Sequence, residues 1–195
     1  MFWPTFSFPT DHVHFYAYWE KFLTPEECKK IIDYGNSLKL KKAYALGEYS
    51  HKVRKSDISW INPNPEINWL FERTAEVINN LNSQFFKFDL WGFRESFQFT
   101  KYTAPGGKFM AHTDRGINLP SVRKLSITIQ LSDPKKYTGG KLKIIQGYEK
   151  DAQLYPPNEQ GTLIAFPSFV LHEITPVTKC ERYSLVNWIT GPNFK

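Results

Sequence analysis

The sequence predicts a mainly β fold with flanking helices (α+β), namely a two-sheet jelly roll backed by two N-terminal helices. Helical apolar spacing is confined to roughly the first 86 residues, and short aromatic and β-branched runs between turn residues follow it. A chain of 195 residues with 41% hydrophobic residues is long enough to bury one core. We expect a single domain over residues 1–195, with helical support over about 20–86 and a jelly-roll core over about 87–192.

The first helix is predicted to begin after Thr24. Thr24 is suited to be the N-cap, Pro25 to be the first helical residue and Glu27 to close a capping box. Apolar residues then follow helical spacing to about Leu38. A second helix start is expected at Asn64-Pro65, and its apolar stripe continues towards residue 85.

Five runs beyond the helices have the composition and alternation of strands. These runs are Glu95–Tyr102, Lys124–Leu131, Lys141–Ile145, Gly161–Phe166 and Arg182–Trp188. The turns between them are marked by Pro105-Gly106-Gly107, Thr138-Gly139-Gly140 and Pro156-Pro157. Many short strands after two helices predict antiparallel sheets with helices on one side.

Charge and cysteine content exclude several classes of protein. The net charge of +6 is modest, and a solvated basic face is favoured over an anionic partner. Cys28 and Cys180 form no C-x-x-C pair, which argues against a disulfide scaffold or a thiolate zinc site. The segment Met1–Thr10 lacks the features of a secretory signal, and no run has the roughly 18 apolar residues of a membrane span. A cytoplasmic location without a membrane partner is expected.

His112, Asp114 and His172 form the most informative set of residues. Two imidazoles and one carboxylate are the facial set that binds non-haem Fe(II) and leaves coordination positions open. Alternate residues of a strand project to the same side, so His112 and Asp114 are expected to share a strand and aim at one point. Three ligands without a thiolate favour a catalytic iron over structural zinc, although catalytic zinc or manganese fits the spacing equally.

Arg182 is expected to face the same cavity. Alternation along its strand places Arg182, Ser184, Val186 and Trp188 on one face. A buried guanidinium needs an anion, so an inward arginine predicts a carboxylate ligand; the alternative is a surface ion pair with a neighbouring glutamate. Tyr102 precedes a glycine turn and has a phenol suited to hydrogen-bond the same anion. Trp188 is interpreted either as a substrate wall or as simple barrel core.

These motifs resemble the 2-oxoglutarate/Fe(II)-dependent dioxygenases of the prolyl 4-hydroxylase superfamily, and in particular the PKHD-type hydroxylases. The resemblance rests on Gln98–Tyr102, His112-Thr113-Asp114, Tyr137–Leu142, Phe166-Pro167-Ser168, His172–Val177 and Glu181–Trp188. The upstream segments Leu23–Cys28 and Val53–Asp57 are similar to the family's first helix and substrate-side loop. The similarity extends from about residue 20 to 192.

The resemblance implies a double-stranded β-helix and the hydroxylation of a C–H bond with release of succinate and CO2. The implied Fe(II) ligands are His112, Asp114 and His172. The implied 2-oxoglutarate residues are Arg182, Tyr102, Gln130 and Ser184. The implied substrate residues are Trp188 and Arg54. O2 is the second co-substrate, and ascorbate is expected to support activity.

The leading substrate is a prolyl residue in a peptide or protein. The alternatives are the same chemistry on a free amino acid or other small molecule, and a non-catalytic binding module on this fold. Nucleic-acid demethylation is disfavoured, because enzymes of that kind carry a second arginine six residues after the first and Trp188 stands there. Cys180 occupies a position where the family commonly has glycine, so an altered turn or a thiol near the pocket is expected.

Overall fold

The computed structural model describes residues 13–43, 52–115, 122–147 and 152–193. In chain order its elements are β1 (Ala17–Trp19), α1 (Pro25–Ser37), β2 (Lys41–Lys42), β3 (Arg54–Lys55), β4 (Asp57–Ile61), α2 (Asn68–Leu81), β5 (Gly92–Phe93), β6 (Phe97–Thr103), β7 (Gly107–His112), β8 (Arg123–Gln130), β9 (Thr138–Gly139), β10 (Leu142–Ile145), β11 (Gln153–Leu154), β12 (Leu163–Pro167), β13 (His172–Lys179) and β14 (Glu181–Thr190). The segment Met1–Thr10 lies outside the described residues. Within those residues, no helix has the length and apolar character needed to cross a membrane.

The strands form two antiparallel sheets. The major sheet has the order β1-β12-β8-β14-β6-β4-β2, with β5 beside β14, and the minor sheet has the order β11-β10-β13-β7-β3, with β9 beside β13. The predicted mainly β fold with antiparallel sheets is confirmed. All five runs interpreted as strands are strands, β6, β8, β10, β12 and β14, with ends that differ by at most two residues.

The helix α1 begins as its sequence predicts. The Thr24 hydroxyl accepts a hydrogen bond from the Glu27 N–H, and the Glu27 carboxylate accepts one from the Thr24 N–H. The helix lies close to β6, since a Cβ added to Gly35 would stand 2.5 Å from the Phe99 ring. Arg73 of α2 forms an ion pair with Glu27 at 2.9 Å and joins the two helices.

The helix α2 begins later than its sequence predicts. Asn64 and Pro65 were expected to start it, but residues 65–67 form a turn and the helix starts at Asn68. The Asn64 side chain accepts a hydrogen bond from the Glu66 N–H, and its carbonyl accepts bonds from Ile67 and Asn68. Asn64 therefore caps the turn before the helix, and a π-helical turn over Asn82–Phe86 follows the helix.

The alternation of β14 separates two layers of core. Leu185 and Ile189 pack with residues of α1 and α2 in a core on the helix side of the major sheet. A second core lies between the two sheets and includes Phe166, Ile174 and Val177. The residues of β14 that alternate with Leu185 therefore face the space between the sheets, where the candidate site lies.

Candidate active site between the two sheets

His112 and His172 lie side by side in the minor sheet. The antiparallel register pairs them directly, because β7 ends at His112 and β13 begins at His172. Their ring centroids are 4.2 Å apart. Each Nδ1 lies beside a backbone carbonyl, Met110 O at 2.7 Å and Val170 O at 2.9 Å. Since a carbonyl only accepts hydrogen bonds, each Nδ1 carries the proton and each Nε2 lone pair is left for a ligand.

Asp114 reaches the two histidines from a bend. The expectation that His112 and Asp114 share a strand is wrong, because β7 ends at His112. The N–H groups of Asp114 and Arg115 both donate to the Ser168 carbonyl, at 2.9 and 3.0 Å, and hold the bend. The Oδ1 atom of Asp114 lies 3.5 Å from Nε2 of His112, and its Oδ2 atom lies 3.5 Å from Nε2 of His172. One donor atom from each of the three residues lies within 4.8 Å of the others, so a single ion can contact all three.

Burial and hydrogen bonds set the ionisation of this group. Burial alone would raise the pKa of Asp114, but His172, His112 and a hydrogen bond from Ser126 outweigh it and hold the pKa well below its usual range. Burial lowers the pKa of His172 and favours the neutral imidazole. The Ser126 hydroxyl lies 2.7 Å from the Asp114 carboxylate and 3.0 Å from the Ser168 hydroxyl. An ionised carboxylate beside a neutral imidazole is the state in which both can bind a metal.

A pocket between the sheets contains the three residues. Its apolar lining consists of Phe109, Ile127, Leu142, Phe166, Ile174 and Val186. The Phe109 ring stacks on His112 at 3.5 Å, and the Phe166 ring lies 4.6 Å from His172. Apolar walls on both imidazoles exclude water and strengthen electrostatic interactions inside the pocket.

Arg182 is buried behind the pocket without a carboxylate partner. Its side chain is 1% exposed and donates to Gln130 Oε1 at 2.7 Å and to Ser184 Oγ at 3.3 Å. Its Nε has no hydrogen-bond acceptor among the described residues. The two nearby glutamates, Glu173 and Glu181, are paired instead with lysines. A buried guanidinium with neutral partners and an unused N–H fits an anionic ligand.

The residues around Arg182 leave room for its side chain. Tyr102 lines the pocket and its ring lies 5.5 Å from the Arg182 guanidinium. Gly140 packs against the arginine, and a Cβ there would stand 2.8 Å from Arg182 Cδ. Gly140 also has a φ of +60°, which favours glycine. The glycine pair seen in the sequence therefore shapes the end of the cavity that holds the cation.

The pocket lining includes a second buried cation, Arg54. It is 8% exposed, donates to Ser56 Oγ at 2.9 Å and to Gln98 Oε1 at 2.7 Å, and lies over the Phe109 ring at 4.5 Å. Burial lowers its pKa from the usual value. Among the described residues, Arg54 forms no ion pair with a carboxylate. One guanidinium thus lines the pocket, and that of Arg182 lies beside it, 5.5 Å from the ring of Tyr102.

Trp188 lines the pocket and is held by a cation. The Arg123 guanidinium lies 3.7 Å from its ring centroid and forms a two-pronged ion pair with Glu95, at 2.6 and 2.8 Å. The Trp60 ring lies 6.4 Å away on the other side. The Trp188 Nε1 atom is buried and has no acceptor among the described residues. Trp188 is 5% exposed and lines the pocket, a position that is compatible with a core residue and with a wall for a substrate.

The Cys180 thiol does not line the pocket. Cys180 is exposed, lies at the hairpin between β13 and β14, and is absent from the pocket lining. Its φ of 59° is the left-handed conformation that glycine adopts easily. Its carbonyl accepts a hydrogen bond from Ala104 at 3.0 Å. The hairpin thus keeps a glycine-like backbone with a cysteine in place.

Sequence reasoning missed several residues of the pocket. Phe109, Ser126 and Arg123 contact His112, Asp114 and Trp188 respectively. Phe109 lies on the same strand as His112, where the register with β13 shifts, whereas Ser126 meets Asp114 at its bend and Arg123 meets Trp188 across paired strands. Serine and phenylalanine on a strand carry no chemical signature of their own. For Ser126 the available signal was local alternation, because Ser126, Thr128 and Gln130 alternate with apolar residues along the strand and so form one polar face.

Comparison with known proteins agrees with this geometry. Residues 97–190 match the family model described as the 2OG-Fe(II) oxygenase superfamily. A PKHD-type hydroxylase of Picosynechococcus sp. is 35% identical over 91 residues, which are 47% of this chain and 40% of that protein. Another, of Sphingopyxis alaskensis, is 33% identical over 126 residues, 61% of this chain and 56% of that protein. The chain thus spans about two fifths to just over half of the length of these relatives.

Solved structures show the same fold. A prolyl-4-hydroxylase of Pseudomonas putida superposes with a TM-score of 0.72 at 22% identity, and covers 92% of this chain and 94% of its own. A prolyl hydroxylase of Trichoplax adhaerens superposes with a TM-score of 0.74 at 16% identity, over 91% of this chain and 84% of its own. The family match includes every metal-ligand candidate and Arg182. Through residues 97–190, just under half of its length, the chain is similar to the 2OG-Fe(II) oxygenase superfamily.

Proposed function

We propose that the protein is an Fe(II)- and 2-oxoglutarate-dependent dioxygenase that hydroxylates a prolyl residue of a peptide or protein. The observation that carries this proposal is the position of Arg182, buried without a carboxylate beside the pocket that contains His112, Asp114 and His172. A cation of this kind needs an anion, and 2-oxoglutarate has a second carboxylate that can pair with it.

The three metal-ligand candidates fit Fe(II). Two imidazoles whose Nε2 atoms are free and one ionised carboxylate supply a facial donor set, and no thiolate is present in it to favour zinc or a cluster. Iron bound there would supply oxygen activation coupled to the decarboxylation of 2-oxoglutarate. The overall reaction converts C–H, O2 and 2-oxoglutarate into C–OH, succinate and CO2, which balances all atoms.

The chain's own residues would orient the co-substrate and exclude water. Arg182 would grip the far carboxylate of 2-oxoglutarate, with Gln130 and Ser184 holding the guanidinium plane and Tyr102 adding a hydrogen bond. The apolar walls beside both imidazoles would keep the reactive centre dry. In this proposal the protein contributes binding and orientation, whereas the bound metal and co-substrate contribute the oxidising power.

A peptidyl prolyl substrate is the best-supported target. The relatives are PKHD-type hydroxylases, and the structure from Trichoplax adhaerens is of a prolyl hydroxylase in complex with a peptide fragment. The pocket offers Trp188 as a flat wall suited to a pyrrolidine ring and Arg54 as a donor for a backbone carbonyl. We also propose that the two helices and the sheets act as one domain over residues 1–195, because helix and sheet residues share one core.

Succinate release tests this function. The full chain is supplied with Fe(II), ascorbate and 2-oxoglutarate under argon, O2 is admitted, and succinate is measured with and without proline-containing peptides. We expect succinate above a no-enzyme control and a peptide mass increased by one oxygen. His112→Ala is expected to abolish both signals, while Lys135→Ala, an exposed control, leaves them unchanged. Absence of succinate with every peptide and with cell lysate would reject the dioxygenase, and succinate with oxidation of small molecules alone would reject the peptidyl substrate.

A further inference from the structure

The pocket face of the major sheet continues beyond the pocket to the edge strand β2. Residues directly opposite on antiparallel strands project to the same face, so the register defines rows across the sheet. One row runs from the pocket through Ser184, Thr100, Ile58 and Lys41. The next row runs through Val186, Gln98 and Trp60. Ser184, Val186 and Gln98 line the pocket, so both rows lead outward from it.

These rows end in a groove at the sheet edge, which we call the lysine groove. It is lined by Leu38, Lys39, Lys41, Lys42, Ile58, Ser59 and Trp60. Trp60 is 42% exposed, and its ring contacts the ring of Trp188 inside the pocket. The strand β2 pairs only with Asp57 and Ile58, so within the described chain no strand lies along the outer edge of β4 from Ser59 to Ile61. An extended polypeptide leaving the pocket therefore has an open sheet edge to follow.

Three lysines line the groove, and only one of them is paired with a carboxylate among the described residues. Lys42 forms an ion pair with Asp57 at 2.8 Å. Lys39 and Lys41 are exposed, and among the described residues neither has a carboxylate within ion-pair distance. Two free lysines beside an exposed tryptophan complement acidic side chains on a chain that also has apolar or backbone surface to stack.

We propose that the lysine groove binds an acidic, extended segment of the polypeptide whose target residue occupies the pocket. This inference rests on the proposed function and specifies its substrate class. From β14 across β6 and β4 to β2 there are three strand spacings, roughly 14 Å in all, which an extended chain covers in about four or five residues. The acidic residues therefore lie about four or five positions from the residue that is oxidised.

A comparison of peptide affinities tests whether the lysine groove prefers acidic residues. Two fluorescent peptides share a central proline; one carries Glu four and five residues away on both sides, and the other carries Gln at the same positions. Fluorescence anisotropy is recorded with the full chain under argon, with and without Fe(II) and 2-oxoglutarate. We expect the Glu peptide to bind about tenfold more tightly at low salt, an advantage that fades as salt increases.

Charge-reversal variants test whether the preference for the Glu peptide arises in the lysine groove. Lys39→Glu with Lys41→Glu is expected to remove the roughly tenfold preference for the Glu peptide. Lys135→Glu with Lys136→Glu makes the same change of charge beside Asp133, near the N-terminus of α1, and is expected to keep the preference. Trp60→Ala is expected to weaken both peptides. Moving the glutamates next to the proline should also abolish the preference.

Several outcomes overturn the proposal. Equal affinities for the two peptides would do so, as would a Glu preference that survives the Lys39 and Lys41 reversals. Tighter binding of a single-stranded oligonucleotide that depends on the same lysines would assign the groove to nucleic acid. Succinate release is measured in parallel: turnover without a charge preference rejects only the lysine groove, whereas a charge preference without turnover rejects only the dioxygenase.

Discussion

The metal side and the open side of the pocket are held together by different kinds of contact. On the metal side, both imidazoles are fixed by backbone carbonyls and Asp114 is fixed by the Ser168 carbonyl. On the open side, Trp188 is held by the side chains of Arg123 and Trp60. Hydrogen bonds to the backbone of a sheet hold a side chain on a rigid element, whereas contacts between side chains leave a ring more freedom to adapt.

This difference matches the different tasks of the two sides. A metal and its co-substrate have one geometry, so their ligands benefit from rigid elements with fully satisfied second partners. A polypeptide substrate varies in sequence, and contacts made through side chains can adapt to it. Substitutions on the metal side should therefore cause large losses of affinity for the metal or for 2-oxoglutarate. Substitutions on the open side should cause smaller losses, and only of affinity for the substrate.

The largest effect is expected at Arg182. Arg182→Ala should weaken 2-oxoglutarate binding by about 30-fold or more, because truncating one partner of a buried charge pair costs roughly 2–5 kcal/mol. Metal binding should change little, since Arg182 contacts none of the three ligand candidates. Calorimetric titration of the two ligands checks this, and Arg182→Lys should fall between the alanine variant and the wild type. Equal losses of metal and 2-oxoglutarate would show that Arg182 serves folding instead.

A second test concerns the hydroxyl that holds Asp114. Ser126→Ala removes the 2.7 Å hydrogen bond to the carboxylate and should lower metal affinity by about 10–100-fold, as removal of outer partners of metal ligands does. Cobalt(II) titration followed by visible absorption measures this without turnover. The matched control is Ser59→Ala, a buried serine that donates to the Gly35 carbonyl on the helix side of the sheet. Wild-type cobalt affinity in the Ser126 variant would mean that the bend alone orients Asp114.

Alanine variants of two glycines with positive φ distinguish the effect of backbone strain from the effect of displacing Arg182. Gly140→Ala and Gly106→Ala each place a side chain in the left-handed region, at a cost of about 1–2 kcal/mol. Only the added Cβ at Gly140 meets Arg182, whereas nothing lies within 4 Å of the one at Gly106. Both variants should melt at a lower temperature, but only Gly140→Ala should weaken 2-oxoglutarate binding, by about tenfold. A similar loss of 2-oxoglutarate affinity in both would remove the specific role of Gly140.

The sequence predicts the metal side better than the open side. His112, Asp114 and His172 are residue types with strong chemical preferences, and their donor atoms lie together in the structure although Asp114 lies in a bend rather than on the expected strand. Arg182 lies beside the pocket, 5.5 Å from the ring of the pocket residue Tyr102. Alternation along β14 was enough to place Arg182 and Ser184 on one face. These predictions need only the local period of the strand and the chemistry of the side chains.

The open side could not be predicted because its contacts depend on register between distant strands. Arg123 meets Trp188 across the pairing of β8 with β14, and Trp60 reaches it across β6. A shift of register by one residue would reverse the face of each side chain, and no local pattern fixes the register of strands so far apart. The start of α2 was missed for a related reason, since Asn64 and Pro65 serve a capped turn as well as they serve a helix.

The smallest effect is expected at Arg123, and it tests whether the open side acts on the substrate alone. Arg123→Ala removes a cation–π contact worth roughly 0.5–2 kcal/mol and frees the Trp188 ring, so the KM for peptide should rise by up to about tenfold. The KM for 2-oxoglutarate and the affinity for cobalt should stay near those of the wild type. Arg94→Ala is the matched control, because Arg94 lies over the exposed Trp91 ring at 5.0 Å, away from the pocket lining. Because the Arg123 guanidinium also approaches the Asp114 carbonyl at 3.4 Å, a fall in cobalt affinity would show that it supports the metal side, and the division between the two sides would then fail.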